Sequence, residues 1–493
     1  MPFYGVFGND WIGFAFYFVA ILALVFVSGI LLEKFKVSGQ ITRQFVHAGV
    51  GLLVLTSPFT IHSPLQPSLL AGIFIVLNLV NILKGGMKGI HSTERFSLGT
   101  VFFPLSFLIL ILLYWDKAYI LIVGMAIMTI SDPLASILGT RLSRDKFFVP
   151  WKDKKSVTGL FTIFISATVI VLVITTWIKP DFSLTRLIIL SVTVGIVATA
   201  AESISFAGSD NLSLPLLSAL MYDIGLETSN EGLLAILGWI FLSLLLALGS
   251  YRLKALDISG AFGAMLLGAI VFSIGGIRWA LPMLTFYILS SILSKIGGKK
   301  KQKAKGIIEK GSRRDIYQVF ANGGVAFLAA IFYWYTKSNL AYVVFLGSLA
   351  AATADTWATE IGLLSGIRPV SILNFRHVLP GTSGGITPVG TAGAIAGAFI
   401  LSLGGLPGSG NKLIIAEAAL LGGFLGAMVD SLAGATIQAQ YKCTKCNKIT
   451  EKKIHCGIRS KHISGVHWIN NDVVNLICTL SGGVFALGLS LLS

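Results

Sequence analysis

The chain has 493 residues, of which 54% are hydrophobic and only 12% are charged, and its mean hydropathy is +0.82. Soluble domains carry roughly 25% charged residues, so this composition excludes a protein whose surface faces water throughout. It predicts a polytopic membrane protein, in which 54 glycines suit close helix packing in lipid. Four cysteines are too few for a disulfide scaffold.

Apolar runs of membrane-span length, or nearly so, follow one another along the sequence. The first run, near residues 11–32, follows no basic residue and is long enough to remain as a span rather than act as a signal peptide. The other runs of the first half lie near residues 46–57, 67–84, 98–115, 118–140, 160–178, 185–206 and 213–225. The run at 46–57 is short, which makes it a candidate re-entrant or interfacial segment.

A polar break at residues 227–232 separates these runs from those of the second half. The later runs lie near residues 233–250, 258–273, 278–296, 319–336, 341–366, 386–404, 413–439 and 472–492. We therefore expect an all-α polytopic membrane protein with roughly 14–16 transmembrane segments.

The net charge of +16 is concentrated in three loops between the apolar runs. Residues 140–155, 297–315 and 440–462 carry net charges of +4, +6 and +6, which account for the whole excess. Basic loops mark the cytoplasmic side of a membrane protein, so we expect the active faces to be cytoplasmic. Membrane topology accounts for most of this charge, and we expect no nucleic-acid partner.

The pattern D-x-x-A-x-x-x-G occurs twice, starting at Asp132 and at Asp355. About 70 residues after the first Asp lies Glu202, and about 75 residues after the second lies Asp430. Two further correspondences are Asn211 and Pro215 with Asn471 and Asn475, and Arg43 and His47 with Arg314 and Gln318. Four elements in the same order predict an internal duplication, with halves at 1–228 and 250–493 joined by a segment at 229–249.

Acidic residues inside apolar runs cost several kcal/mol in a membrane and therefore usually face a cavity with a function. The acidic residues within or at the ends of the runs include Asp132, Glu202, Asp210, Asp355, Glu360, Asp430 and Asp472. Each alone could be a helix cap or an interhelical hydrogen bond, but their repeated order favours function. We expect catalytic roles for Asp132, Glu202, Asp355 and Asp430. We expect Mg²⁺ ligands at Asp132, Asp210, Asp355, Glu360, Asn471 and Asp472.

A loop suited to phosphate accompanies each set of carboxylates. Residues 154–159 read Lys-Lys-Ser-Val-Thr-Gly and open an apolar helix, where ammonium groups, hydroxyls and free amides suit a polyphosphate. Residues 380–385 read Pro-Gly-Thr-Ser-Gly-Gly and also precede a helix, and the glycines let amides approach an anion. The alternative explanations are that the lysines only mark the membrane topology and that the glycines only form turns. The expected phosphate contacts are Lys154, Lys155, Ser156, Gly159, Gly381, Thr382, Ser383 and Gly384.

The pattern from Asp132 to Gly159 resembles the CTP-binding signature of the dolichol kinase and phytol kinase family. The resemblance covers about residues 10–228 and includes an early Arg…His pair and a Glu…Asp-Asn-x-x-x-Pro block. It implies phosphoryl transfer from CTP to an isoprenoid alcohol. The further nucleotide-binding residues that it implies are Arg43, His47, Ala135, Gly139 and Asn211.

The second half is similar to the membrane family that contains plant phytyl-phosphate kinase, over about residues 250–493. The shared blocks lie at residues 311–324, 354–360, 380–385, 430–438 and 471–475. This similarity implies phosphorylation of an isoprenyl monophosphate to the diphosphate. It assigns phosphate binding to Arg313, Arg314, Gln318 and Asn322.

Together the two resemblances imply a bifunctional isoprenoid-alcohol kinase, acting in isoprenoid salvage or in lipid or quinone biosynthesis, with CTP as donor and Mg²⁺ as cofactor. The alcohol would enter from the bilayer and the nucleotide from the cytoplasm. One alternative is a lipid nucleotidyltransferase of the phosphatidate cytidylyltransferase type, which also uses CTP. Another is a transporter built from two repeats, which the position of the polar blocks beside basic loops disfavours.

A Cys/His insert, at about residues 441–468, has the composition of a metal site. It contains Cys443 and Cys446 and, after eight intervening residues, His455 and Cys456. Thiolate and imidazole ligands suit tetrahedral Zn²⁺. The alternatives are that the insert binds no metal or that its cysteines carry out redox chemistry. Because adjacent ligands are awkward, His462 or His467 is an alternative to one of them. We expect the insert to hang outside the carboxylate cluster, so that its cysteines affect stability more than turnover.

Overall fold

Helices make up most of the regular structure of this chain, whose computed structural model describes residues 6–84, 97–142, 147–148, 153–296, 313–404, 406 and 412–492. The chain divides into two compact units, Met1–Gly238 and Trp239–Ser493, called unit 1 and unit 2 below. The division falls within helix α10, Asn230–Arg252.

Unit 1 contains nine helices before α10 in its described residues. They are α1 Asp10–Glu33, α2 Gly39–Thr60, α3 Leu65–Leu83, α4 Gly99–Tyr114, α5 Ala118–Ala126, α6 Asp132–Leu142, α7 Val157–Ile178, α8 Leu184–Ser203 and α9 Asp210–Glu227. Ser38, Ser156 and Ser183 each begin a helix by accepting a hydrogen bond from the amide three residues later. Each such cap stabilises its helix by about 1 kcal/mol.

Helices α5 and α6 are joined without a loop by a π-helical stretch, Ile127–Ser131. Part of the cause is Pro133, which has no backbone N–H and therefore cannot donate to the carbonyl of Thr129 as a regular α-helix requires. A π stretch adds one residue to a helical turn and is frequent at functional sites. It therefore sets the direction of Asp132, the first residue of α6.

Unit 2 contains the rest of α10 and six further helices in its described residues. They are α11 Ile258–Lys295, α12 Ile316–Thr336, α13 Asn339–Ser365, α14 Pro388–Gly404, α15 Lys412–Thr436 and α16 Asn471–Leu492. Helix α11 bends at Gly276, whose φ of 54° is left-handed. Helices α13, α15 and α16 approach closely: a Cβ on Gly426 would lie 2.7 Å from that of Ala351 and 2.8 Å from the carbonyl oxygen of Cys478. Such approach of small residues stabilises helix contacts in lipid.

Short antiparallel strands lie in several of the connections between helices. Strand β1 (Phe147–Phe148) pairs with β2 (Lys155–Ser156), and β3 (Val370–Ser371) pairs with β4 (Gly385–Ile386). The Cys/His insert contains β5 Gln440–Lys442, β6 Ile449–Thr450, β7 Ile454–His455, β8 Ile458–Arg459 and β9 Lys461–Ser464. In that insert β5 lies between β6 and β9, and β7 pairs with β8.

Eleven helical stretches of the described residues are long and apolar enough to cross a membrane. One of them, Gly99–Leu142, contains α4, α5 and α6, and another is the bent helix α11. The predicted fold class, an all-α polytopic membrane protein, is confirmed. The run at 46–57, expected to be re-entrant or interfacial, lies within the 22-residue helix α2, and α2 is not one of the eleven stretches.

Candidate functional site

Three acidic side chains of unit 1 converge where three helices begin or end. Asp132 begins α6, Glu202 lies in the last turn of α8, and Asp210 begins α9. One carboxylate oxygen from each lies within 4.8 Å of the other two. Carboxylates this close repel one another unless a proton or a cation lies among them, and the buried Oε2 atom of Glu202 has no hydrogen-bond partner. This donor set suits a divalent cation that prefers oxygen ligands.

Lys155 brings a positive charge to this cluster. Its Nζ donates to Glu202 Oε1 and to Ser205 Oγ, both at 2.6 Å. Burial alone would lower the pKa of the Lys155 ammonium, but the carboxylates of Glu202 and Asp210 outweigh it and raise that pKa. Lys155 is therefore a fixed cation of the site, whereas Lys154 beside it is exposed.

His47 reaches the cluster from α2. Its Nε2 lies 3.2 Å from the carbonyl oxygen of Met128, in the π stretch, and 3.9 Å from Asp132 Oδ2. Because a carbonyl oxygen only accepts hydrogen bonds, this contact assigns the proton to Nε2. The rings of His47 and Phe103 form a T-shaped pair with centroids 5.1 Å apart. Arg43, one turn earlier on α2, is exposed and near enough for its charge to act on Asp132.

Asn211 orients one member of the cluster. Its Nδ2 donates to Asp210 Oδ1 at 3.1 Å and to the carbonyl oxygen of Gly208 at 3.2 Å. The short connection from α8 to α9, residues 204–209, therefore carries Glu202 and Asp210 into the same site.

The small residues of the first pattern hold α6 and α7 together. Ser156 Oγ accepts a hydrogen bond from the amide of Gly159 at 3.0 Å. A Cβ on Gly139 would lie 2.5 Å from that Oγ, and one on Gly159 would lie 3.3 Å from the carbonyl oxygen of Ala135. These four residues, predicted to contact nucleotide, are thus seen in contact with one another. Lys155 is the residue of their loop that reaches the carboxylates.

Asp355 and Asp430 face each other in unit 2. Asp355 lies in the second half of α13, Asp430 lies near the end of α15, and their side chains are in hydrogen-bond contact. Glu360 is near enough for its charge to act on Asp355, while Asn471 and Asp472 begin α16. In the described part of unit 2, these acidic residues do not form a set of three whose ligand oxygens all lie within 4.8 Å.

The helix contact of unit 1 recurs within unit 2. Thr387 Oγ1 accepts a hydrogen bond from the amide of Gly390 at 3.0 Å. A Cβ on Gly390 would lie 2.8 Å from the carbonyl oxygen of Ala358 and 3.4 Å from the Cα of Gly362. The contacts of Ala135, Gly139, Ser156 and Gly159 are thus repeated by Ala358, Gly362, Thr387 and Gly390.

This repetition sets the correspondence of the two loops. The structure matches Ser156 with Thr387, which lies just after residues 380–385. Strands β2 and β4 precede equivalent helices, α7 and α14. Ile386 therefore stands in unit 2 where Lys155 stands in unit 1.

The glycine-rich loop, residues 381–384, packs on α15 beside the carboxylate pair. Gly381 and Gly384 have φ values of 89° and 74°, which glycine adopts without strain. A Cβ on Gly384 would lie 2.7 Å from the carbonyl oxygen of Ser431, the residue after Asp430. Close contact of this loop with the helix that carries Asp430 therefore requires glycine.

Glu451 is a member of this second site that the sequence analysis missed. Ser383 Oγ donates to Glu451 Oε1 at 2.5 Å, and Glu451 is near enough for its charge to act on Asp430. The insert was expected to hang outside the carboxylate cluster, and that expectation is wrong because its β5–β6 hairpin carries Glu451 to the loop. One signal was present: Glu451 is the only acidic residue among seven basic ones in residues 440–462.

A cavity of about 80 Å³ lies in unit 2 between α10, α11 and α12. Its polar lining includes Arg314, Gln318 and Asn322, three of the predicted phosphate-binding residues. Its apolar lining includes Leu246, Ala247, Leu256, Leu267, Phe272 and Phe286. The fourth predicted residue, Arg313, donates from Nε to the carbonyl oxygen of Leu256 at 3.0 Å. Residues 297–312, most of the basic loop before it, lie outside the described residues.

The Cys/His insert brings its four predicted ligands together. One ligand atom from each of Cys443, Cys446, His455 and Cys456 lies within 4.8 Å of the others. The adjacent residues His455 and Cys456 converge because Cys456 adopts a left-handed φ of 52°. His462 and His467, the alternative ligands, instead stack on each other with ring centroids 3.8 Å apart.

Comparison with known proteins places the chain among integral membrane proteins. The profile of the family described as Integral membrane protein DUF92 matches residues 241–483. The chain is 32% identical over 266 residues to Protein PGR of Arabidopsis thaliana, which covers 49% of the chain and 91% of that protein.

Two further relatives are similar to about half of the chain or less. Phytol kinase of Synechocystis sp. is 28% identical over 205 residues, 41% of the chain and 86% of that protein. Protein VTE6, chloroplastic, of Arabidopsis thaliana is 26% identical over 251 residues, 50% of the chain and 68% of that protein. No solved structure matches. The profile match and the 32% identity to a relative that is matched over 91% of its length show that the chain belongs to the DUF92 family of integral membrane proteins.

Proposed function

We propose that the chain is an isoprenoid-alcohol kinase that phosphorylates a phytol- or polyprenol-type alcohol and then phosphorylates the resulting monophosphate. One observation carries the proposal: Asp132, Glu202 and Asp210 meet within 4.8 Å among membrane helices, beside the cation of Lys155. Clustered carboxylates and a fixed cation suit phosphoryl transfer, which depends on positioning and charge neutralisation. A relative named phytol kinase supports an isoprenoid alcohol as the acceptor.

The residues of unit 1 fit Mg²⁺ and a nucleotide. The fit rests on the three converging carboxylates and on the unpartnered buried oxygen of Glu202. Asp132 and Asp210 would hold the ion, with nucleotide oxygens and water as the other ligands. Bound Mg²⁺ would neutralise charge on the transferring phosphoryl group. CTP is the proposed donor because the pattern from Asp132 to Gly159 resembles a CTP-binding signature.

Of the two candidates for accepting the alcohol proton, Asp132 and Glu202, the geometry favours Asp132. Glu202 is engaged by Lys155 at 2.6 Å, whereas the nearest cationic or imidazole nitrogen to Asp132 among the described ion pairs is His47 Nε2 at 3.9 Å. A carboxylate has two oxygens, so Asp132 can face the ion with one and the alcohol with the other. His47, fixed by the carbonyl of Met128, would limit the space into which Asp132 can turn on the side of α2.

Unit 2 would carry the second phosphorylation. Its acceptor is already an anion, so the reaction needs no strong base, and Asp355 and Asp430 would hold Mg²⁺ rather than remove a proton. Arg314, Gln318 and Asn322 line an otherwise largely apolar cavity, which suits a phosphate attached to a hydrocarbon chain. The similarity of this half to the family of plant phytyl-phosphate kinase supports that acceptor.

The membrane setting agrees with both reactions. An isoprenyl monophosphate released by unit 1 stays in the bilayer that contains unit 2, so the second step acts on a locally concentrated substrate. The basic loops, which account for the net charge of +16, favour a cytoplasmic face for nucleotide entry. Isoprenoid salvage or lipid and quinone biosynthesis would use the diphosphate product.

The test supplies phytol and CTP to membranes that contain the protein, with radiolabel in the γ-phosphate of CTP. We expect label in a lipid monophosphate first and in a diphosphate later, and none with an Asp132→Asn variant. Lipid labelled from the α-phosphate or the cytosine ring would instead show a nucleotidyltransferase. Absence of label from every position, despite folded protein, would overturn the kinase proposal and favour transport.

A further inference from the structure

The Cys/His insert and the glycine-rich loop of unit 2 form one connected structure. We infer that the insert binds Zn²⁺ through Cys443, Cys446, His455 and Cys456, and that the bound ion holds Glu451 against Ser383. Zinc would thereby fix the conformation of residues 381–384 beside Asp430. Glu451 would act as a positioning residue for that loop.

The donor atoms have the composition and spacing of a tetrahedral zinc site. Zn–S bonds of about 2.3 Å and Zn–N bonds of about 2.0–2.1 Å place a sulfur and a nitrogen ligand about 3.6 Å apart at the tetrahedral angle. His455 Nδ1 lies 3.5 Å from Cys446 Sγ and 3.2 Å from Cys456 Sγ. Three thiolates and one imidazole favour Zn²⁺ over Mg²⁺ or Ca²⁺, which prefer oxygen.

The backbone connects this cluster rigidly to Glu451. Cys443 directly follows β5 and its amide donates to the carbonyl oxygen of Lys448 at 3.0 Å, which closes the turn of the β5–β6 hairpin. Glu451 directly follows β6 and is only 9% exposed. The first two ligands, Cys443 and Cys446, therefore lie in the turn of the hairpin, and Glu451 directly follows the second strand of the same hairpin.

The base of the insert is tied to unit 2 as well. The amide of Ala439 donates to the carbonyl oxygen of Ile469 at 2.8 Å, and that of Val466 donates to Ile437 at 2.9 Å. Strand β9 pairs with β5 just beyond these contacts. With its base closed between the end of α15 and the start of α16, and its turn fixed by zinc, the hairpin has little freedom to withdraw Glu451 from Ser383.

Besides Glu451, the loop is held by its packing on α15 and by three backbone hydrogen bonds, one of which runs from the amide of Ile372 to the carbonyl oxygen of Gly384 at 3.0 Å. The amide of Thr382 donates to the carbonyl oxygen of Leu379 at 3.1 Å, and that of Gly385 donates to Thr382 at 3.0 Å. Two glycines in this segment raise the entropy lost on ordering it. A charge-assisted hydrogen bond from Ser383 to Glu451 opposes that loss.

The first measurement is the metal content of the purified full-length protein by mass spectrometry. We expect about one zinc per chain, as for a site closed by four protein ligands, and loss of the metal in the Cys443→Ser/Cys446→Ser variant. Cys478→Ser is the matched control, because Cys478 lies in α16 and contacts the carbonyl oxygen of Ala351; it should retain the metal. Wild-type protein without stoichiometric zinc would overturn the inference, whether the site were empty or held another metal.

The second measurement is hydrogen exchange at the amides of Thr382 and Gly385. Removal of zinc by a chelator should speed their exchange by about tenfold, as expected when a restraint near 1.4 kcal/mol is lost, and added zinc should restore it. Glu451→Ala should show the same increase with zinc bound, whereas Glu451→Gln, which keeps an acceptor oxygen, should resemble the wild type. Lys453→Ala, at an exposed position of the insert, is the control.

Unchanged exchange at this loop after zinc removal, or in Glu451→Ala, would overturn the positioning role. Neither measurement requires kinase activity, so failure of the zinc inference is distinguishable from failure of the proposed function. If the proposed function also holds, Glu451→Ala should raise the KM for isoprenyl monophosphate more than it lowers kcat, with recovery in Glu451→Gln. A large loss of kcat with unchanged KM would contradict positioning.

Discussion

Ser156 and Thr387 hold the same position in the two units: each side-chain oxygen accepts a hydrogen bond of 3.0 Å from the amide of a glycine three residues later. In unit 1 that glycine packs against α6, which begins at Asp132. In unit 2 it packs against α13, which contains Asp355. The residue before the cap differs, since it is lysine in unit 1 and isoleucine in unit 2. The two units therefore share a framework and differ in the charge that it presents.

The ion pair of Lys155 with Glu202 predicts unequal roles for two neighbouring lysines. Lys155→Met removes the cation 2.6 Å from Glu202, and we expect alcohol phosphorylation to fall by about 10²–10³-fold. Lys154 is exposed and forms no described ion pair with the carboxylates, so Lys154→Met should lower the rate less than Lys155→Met. Monophosphate formation by membranes with equal amounts of each variant measures the difference.

The same pair predicts a separable effect on stability. Lys155→Met should lower the free energy of unfolding by about 3 kcal/mol, because it leaves Glu202 buried without its cation. Lys155→Met/Glu202→Gln should recover most of that stability but none of the activity. Thermal denaturation in detergent checks the first point, and recovery of activity in the double variant would contradict the role assigned to Lys155.

Substitution of the two repeated aspartates should separate the two reactions. Asp132→Asn should abolish formation of the monophosphate, while supplied isoprenyl monophosphate is still converted. Asp355→Asn should leave the first reaction intact and cause the monophosphate to accumulate. Chromatography of labelled lipids distinguishes the two outcomes, and equal loss of both products in either variant would contradict one site per unit.

Matched controls for these substitutions are exposed acidic residues in the same units. Asp116 lies in the short 3₁₀ turn before α5, and Glu417 lies on the helix that carries Asp430. Both are exposed, so Asp116→Asn and Glu417→Gln should keep both activities within about twofold of the wild type.

The contact between α6 and α7 predicts that Gly139 cannot be enlarged. Even a Cβ there would lie 2.5 Å from Ser156 Oγ, so Gly139→Val should destabilise the protein by about 1–3 kcal/mol. Gly72→Val is the control, because no atom lies within 4 Å of a Cβ at Gly72. Unfolding in mixed micelles measures both, and equal stability of the two variants would show that α6 and α7 do not pack as described.

The members of the two sites were predictable to different degrees. Asp132, Glu202 and Asp210 are evident from sequence because carboxylates inside apolar runs are rare and therefore informative. The match of Thr387 with Ser156 was missed because 17 residues separate Gly139 from Ser156 and 25 separate Gly362 from Thr387, so the extra loop conceals the spacing. Glu451 stands out in the sequence as the one acidic residue in a basic insert, but its contact with Ser383 depends on how a hairpin outside the apolar runs folds back.

Orientation in the membrane can be tested within unit 1. His62 lies in the exposed turn between α2 and α3, at the opposite end of α2 from Arg43. With cytoplasmic basic loops, His62→Cys should react with an impermeant maleimide added to intact cells, and Lys154→Cys should react only after lysis. The unsubstituted protein gives the background from its native cysteines, and labelling of Lys154→Cys in intact cells would reverse the orientation.

The π stretch before Asp132 imposes a length requirement on unit 1. One residue of an α-helix corresponds to about 100° of rotation, so deleting one residue of Ile127–Ser131 would turn Asp132 away from Glu202. In unit 2, α13 runs through Asp355 as regular α-helix, and Asp355 is directed without a π stretch. Two aspartates in the same short pattern are therefore aimed by different means: in unit 1 the number of residues before the aspartate matters as much as their identity.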